Sequence, residues 1–246
     1  MKTLILLIIS MNLYAKTGFN IMKEIDRRGQ GFIGSKSKIT MTLIDAYNKK
    51  VERVLLSKII EDNKNGNKSI TEFLKPLDIK GTKLLTWSLS HTDNKQWLFL
   101  PQFKRTKKIN SRGQSGSFMG SEFSYEDIAG TILEKYSYKL LSEDKSSWTI
   151  ESVPKKKSGY TKTITTVNKK DYTIQKVKYF DRKGELLKVS SVGQYKVYFV
   201  GKKKFKLSNK ILMLNKQTQK RSILQWFDRK LGLKHKRSDF KSSKLK

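Results

Sequence analysis

Apolar and polar residues alternate with a period of two along most of this chain. Ile39, Met41 and Leu43 alternate with Lys38, Thr40 and Thr42. The polar stretch Asp45 to Lys50 reads as a turn, and Val51 to Ile60 reads as the returning strand. Val177 and Tyr179 alternate with Lys176 and Lys178, Asp181 to Gly184 turns the chain, and Leu186 to Val192 runs back. Such alternation describes strands with one face buried and one face wet. The same pattern predicts strands over Lys83–Ser90, Gln96–Pro101, Tyr136–Leu141, Ser147–Val153, Tyr160–Val167, Gln194–Val200, Lys210–Leu214 and Arg221–Phe227. Strands at this spacing, with turns between them, point to a large antiparallel sheet or partial barrel. No Pro- or Gly-rich linker divides them, so a single domain is expected over residues 16–246.

Helical patterning is confined to two places. Asn20 to Arg28 puts Ile21, Met22 and Ile25 on one side, with Gly29 at its end. Ser124-Tyr125-Glu126-Asp127 places an acidic residue three positions after a Ser, the signature of a capped helix start. Ser69-Ile70-Thr71-Glu72 carries the same signature. Pro76 follows too soon for a long helix there, and Ile70, Glu72 and Leu74 also fit a strand.

The first fifteen residues follow another logic. Lys2 precedes the apolar run Leu4 to Ile9, and Ala15 supplies a small residue for cleavage. These are the parts of a secretory signal, and the apolar run is far shorter than the ~20 residues of a spanning helix. Residues 1–15 are therefore read as a signal peptide, cleaved near Ala15, and the mature protein as periplasmic.

Charge then changes the picture. The chain has 53 Lys+Arg against 21 Asp+Glu, a net +32, and 44 of the basic residues are Lys. Residues 201–246 alone hold 16 basic residues against Asp228 and Asp239. Such a balance seeks polyanions, either an anionic membrane surface or nucleic acid. The export signal and the preference for Lys over the bidentate Arg fork argue against nucleic acid. The 246 residues include no Cys and only His91 and His235, which excludes disulfides, thiolate metal sites and a thiol nucleophile. Cofactor fingerprints and nucleophile elbows are also lacking. His91, Asp93, Glu122, Glu126 and Asp127 are the available acid–base groups. A polar turn and a helix dipole account for most of them without catalysis, so an enzyme is not expected and no catalytic, metal or cofactor residue is assigned.

The most distinctive stretch runs from Phe73 to Ile128. It contains Phe73-Leu74-Lys75-Pro76, Lys80-Gly81-Thr82-Lys83-Leu84-Leu85, Gln96-Trp97-Leu98-Phe99-Leu100-Pro101 and Lys104-Arg105-Thr106-Lys107-Lys108-Ile109. It closes on Gly116-Ser117-Phe118-Met119-Gly120-Ser121-Glu122-Phe123-Ser124-Tyr125-Glu126-Asp127-Ile128. This series resembles the outer-membrane lipoprotein-sorting protein family, the LolA/LolB-like group. The resemblance spans roughly residues 18 to 246, and Ser238-Asp239-Phe240 with Leu245 matches the family's closing segment only loosely. It implies a mainly antiparallel β fold, a curved unclosed barrel with a helical lid over its mouth. It also implies a periplasmic carrier that takes acyl chains of a lipoprotein or lipid into an apolar cavity and helps move them to the outer membrane. A partner exporter of the resistance-nodulation-division type goes with that role. The alternative is a basic nucleic-acid- or membrane-surface-binding protein without a lipid cavity.

Site candidates come from the same stretch. Trp97, Leu98, Phe99 and Leu100 form a strand apolar on both faces, which must be covered on both sides. Either all are core, or one side meets a cavity. Phe118, Met119 and Phe123 sit among glycines and serines, as packed anchors of a turn or as a movable flap whose Met adapts to varied ligands. The candidate cavity is therefore Trp97, Phe99, Phe118, Met119 and Phe123, closed by the Asn20–Arg28 helix. Lys104, Arg105, Lys107 and Lys108 follow the apolar strand directly. They are either a solvated loop or contacts for an anionic head group.

Overall fold

The computed structural model describes residues 16–62 and 65–245. The signal-peptide reading of residues 1–15 lies outside them. Thirteen strands form one antiparallel sheet among the described residues. They are β1 (Gly34–Ile44), β2 (Lys50–Ile60), β3 (Lys68–Lys75), β4 (Lys83–Trp87), β5 (Lys95–Leu100), β6 (Arg105–Ile109), β7 (Tyr136–Glu143), β8 (Ser147–Pro154), β9 (Lys162–Asn168), β10 (Ile174–Phe180), β11 (Leu186–Val200), β12 (Lys203–Asn215) and β13 (Arg221–Leu231). Their spatial order is β6-β5-β4-β3-β2-β1-β13-β12-β11-β10-β9-β8-β7. The outer strands β6 and β7 do not pair with each other, so the sheet is not closed.

The sheet is strongly curled. Gln96 of β5 donates to the Tyr125 carbonyl at 2.9 Å, and Lys188 of β11 lies 2.5 Å from Asp127, two residues further on. Those strands are seven spacings apart, roughly 34 Å across a flat sheet, so only a curled sheet brings both onto one short segment. Register sets the inner face. Met41 lies opposite Leu224, Leu55 opposite Ile39, Phe73 opposite Leu55, and Leu98 opposite Leu84. Residues 110–135 run from the end of β6 to the start of β7 and join the two free edges. Within this strap Ser117 bridges Ser124, and α2 (Tyr125–Ala129) follows.

The helix α1 (Gly18–Gly29) starts where Thr17 Oγ1 accepts from the backbone N–H of Asn20 at 3.2 Å. Its apolar residues Ile21, Met22 and Ile25 pack with Trp148, Ile150 and Val167 of the sheet. Gly18 permits the approach to β7, since a Cβ there would lie 2.9 Å from the Leu140 backbone nitrogen. No helix among the described residues is long and apolar enough to cross a membrane.

Several expectations need revision. The two strands read at Leu186–Val192 and Gln194–Val200 are one strand, β11, which bends at Gln194 with φ +51°. Pairing with β12 lapses there, between Gly193↔Lys210 and Tyr195↔Ser208. A bend inside a strand looks like a turn in a period-two pattern, which explains the split. Ser69 to Glu72, by contrast, takes the strand alternative offered for it, as part of β3. The basic run after Pro101 is a strand, β6, and not a loop.

Candidate functional site

A cavity of about 410 Å³ lies between α1, the strap and the inner face of β7–β12. That volume is within the ~300–1,000 Å³ usual for small-molecule sites. Met22 and Ile25 reach it from α1, Phe123 and Leu133 from the strap, and Val177, Val192, Ile211 and Met213 from the sheet. Five tyrosines, Tyr136, Tyr138, Tyr160, Tyr179 and Tyr195, complete much of the wall. Burial pushes all five phenols up, so they stay neutral and act as amphipathic wall. Tyr195 follows directly on the interrupted pairing at Gln194 of β11.

One ion pair anchors the strap to the sheet. Lys188 Nζ of β11 lies 2.5 Å from Asp127 Oδ2, and the two side chains are 5% and 7% exposed. Asp127 also accepts from the Tyr160 hydroxyl at 2.8 Å and from the Ser124 backbone N–H at 2.7 Å. Lys188 donates further to the Glu122 carbonyl at 2.9 Å. Such a pair holds only because its remaining donors and acceptors are satisfied; stripping one partner typically costs ~3–5 kcal/mol. Ser124 and Asp127 form the expected capping box, so the signature that starts α2 also places the acid. A second tie comes from β2, where Arg53 donates to the Met119 carbonyl.

The five candidate cavity residues do not meet in one place. Strand alternation splits the apolar run of β5. Leu98 faces inward, whereas Trp97 and Phe99 belong to an outer-face cluster with Leu85, Phe240 and Leu245. The C-terminal segment covers that outer face, and Trp87 Nε1 donates to the Phe240 carbonyl at 2.9 Å. Phe118 is fully buried, with its ring 5.7 Å from Phe73 and 5.5 Å from Tyr125. Met119 packs at the margin of the same cluster with φ +51°, in the turn completed by Gly120 at φ +77°. Phe123 alone of the five lines the cavity. The helix assigned as its cover does border it, through Met22, Ile25 and Asp26.

The basic candidates are also elsewhere. Lys104 ends the turn after β5 with φ +45°, and Arg105, Lys107 and Lys108 are exposed on the edge strand β6. Lys107 pairs with Leu98 and Lys108 with Trp97, so the two lysines lie on opposite faces of the sheet. The cavity is bordered by residues of β7–β12, at the other end of the strand order.

Of the acid–base groups, His91 is exposed in a loop. Glu126 accepts from Ser158 Oγ and, at 2.9 Å, from the Gly159 N–H. No group of three or more metal-ligating side chains occurs among the described residues. Sequence reasoning missed the tyrosine wall because a Tyr on an alternating strand has the same signature whether it packs against core or against a cavity.

Comparison with known proteins gives this architecture its family. The chain is similar to an outer membrane lipoprotein-sorting protein domain from Vibrio parahaemolyticus, with 35% identity over 93% of this chain and 97% of that one, at a TM-score of 0.88. A DUF1329 family protein from Desulfovibrio piger shares the fold at a TM-score of 0.86 and 22% identity, over 93% of this chain and 98% of that one. A LolA superfamily protein from Nitrosomonas europaea does so at 0.72 and 18%, over 93% and 99%. A family model described only as an uncharacterized protein matches residues 65–246. Among curated proteins none matches. The chain belongs to the outer-membrane lipoprotein-sorting protein family, with a LolA-like fold.

Proposed function

We propose that this protein is a periplasmic carrier that holds the acyl chains of a lipoprotein or lipid in the cavity beneath α1 and helps move them toward the outer membrane. The observation that carries this reading is the cavity of about 410 Å³, walled by aliphatic side chains and neutral tyrosines. Its lining comes from a helix and a strap as well as from the sheet, so entry requires only that those covers shift. The likeness to the Vibrio domain described as lipoprotein-sorting supports the same cargo class. An inner-membrane exporter of the resistance-nodulation-division type would hand over the cargo, and the basic surface would favour docking on anionic membranes without engaging nucleic acid.

The test combines two measurements. Protein isolated from the cell envelope should release acyl-chain lipid or lipoprotein under native mass spectrometry. Val192→Trp, which enlarges a cavity-wall side chain, should abolish uptake of added lipid while leaving the urea midpoint nearly unchanged. In a filled core the same enlargement costs ~1–3 kcal/mol. A fall in midpoint with uptake intact would overturn the cavity assignment, and absence of any bound lipid would overturn the carrier reading.

A further inference from the structure

A second hollow, about 540 Å³, lies against the C-terminal end of α1, between the β9–β10 turn and the outer part of the β11–β12 hairpin. It shares Ile25, Ile174 and Tyr195 with the apolar cavity, so the two spaces adjoin across those three side chains. Its chemistry is the opposite. Arg27, Arg28, Lys170, Lys203, Lys204 and Lys206 line it, with Asp171 as the acidic residue of the lining.

Pairing removes only part of that charge. Glu24 is shared by Arg27 and Arg28, each at 2.7 Å, and Asp171 pairs with Lys206. Two carboxylates against six bases leave four positive charges. Lys203 donates to the backbone carbonyls of Arg27 and Gln30, which keeps its full charge. It also covers the negative end of the α1 dipole, which would otherwise repel an anion. The neighbouring cavity has Asp26, Glu126 and Asp127 on its wall and no basic residue among its lining, Asp127 being paired with Lys188. An anionic group is therefore disfavoured inside the cavity and favoured in the groove, while an acyl chain has the reverse preference.

We propose that this groove is the head-group site for an anionic, phosphate-bearing lipid whose chains pass Ile25, Ile174 and Tyr195 into the cavity. The inference rests on the carrier reading and names its cargo class. It also moves the head-group contacts from the β6 edge to the far side of the sheet. A preference of about tenfold for an anionic over a zwitterionic head group is the expected scale for a few engaged basic groups.

The experiment offers the protein phosphatidylglycerol and phosphatidylcholine with identical chains and counts bound lipid by native mass spectrometry. Inorganic phosphate is titrated separately by calorimetry. The wild type should take phosphatidylglycerol about tenfold better. Lys170→Glu with Lys204→Glu should erase that preference and keep phosphatidylcholine uptake. Lys170→Gln with Lys204→Gln serves if the charge reversal impairs folding. Equal uptake of both lipids by the wild type overturns this inference and leaves the carrier reading standing. Tight binding of inorganic phosphate, lost in the same variants, overturns it in favour of a free-anion site. Uptake of neither lipid removes the carrier reading and this inference together.

Discussion

Asp26 shows how one side chain records its surroundings. It stands on α1 between the apolar cavity and a polar hollow that also contains Glu61, Asp62 and Glu134. Burial raises its carboxyl above the ordinary value, and the nearby Glu134 charge adds to the rise. A carboxyl whose folded pKa exceeds its unfolded one supports folding fully only below the unfolded value, ~3.9. That support is lost as pH rises through the folded value. Asp26→Asn should therefore raise the urea midpoint at pH 7, with the gain vanishing near pH 4. Gln30 Nε2 donates to Asp26 at 2.5 Å, and Asn offers the same acceptor, so the bond does not confound the comparison. An equal gain at both pH values would show that the buried charge is not the cause. The same scale explains Lys188. In the sequence it is one lysine of 44, and nothing local marks it as the one beside a buried aspartate. Asp127, by contrast, was legible as a helix-start residue, because a capping box is a local pattern.

Among the elements, β5 separates what alternation reveals from what it hides. Its apolar run correctly demanded cover on both faces. On the inner side Leu98 joins the cluster that holds Phe118 and Phe123 of the strap, and the outer cover is the C-terminal pair Phe240 and Leu245. That partner stands about 140 residues further along the chain, where no local pattern could assign it. The short closing segment therefore acts as a wall of the molecule, with Leu85 and Phe240 almost fully buried against each other. Phe240→Ala should cost about 3–5 kcal/mol in urea unfolding. Removal of residues 237–246 should in addition shift tryptophan emission to longer wavelength as Trp87 and Trp97 meet water. Unchanged emission and midpoint would mean that the tail only rests on the surface.

For the molecule as a whole, period-two patterning made the sheet legible but not its order, since alternation does not say which strand pairs with which. The head-group candidates failed to reach the cavity for that reason. Strands β6 and β7 are separated only by the strap in sequence yet form opposite margins of the sheet. The basic concentration of residues 201–246 was legible as charge. Its placement in the hollow beside the cavity, through Lys203, Lys204 and Lys206, required the β11–β12 hairpin and α1 to meet.

The strand order has a kinetic consequence. Every strand pair joins sequence neighbours except β1 with β13, where Ser35 meets Leu231 and Ile44 meets Arg221. The sheet is thus two ladders of local hairpins stitched along one seam through its middle. Local hairpins close in microseconds, whereas a seam between chain ends must first overcome the loop entropy of everything between. In pulse-labelled hydrogen exchange during refolding, amides of the β11–β12 hairpin should gain protection first and those between β1 and β13 last. Simultaneous protection would mean that the seam nucleates the fold. If the seam closes last, the full curl of the sheet arises only then, whereas the cavity wall, drawn from β7–β12, belongs to a single ladder and can take shape before the two halves meet.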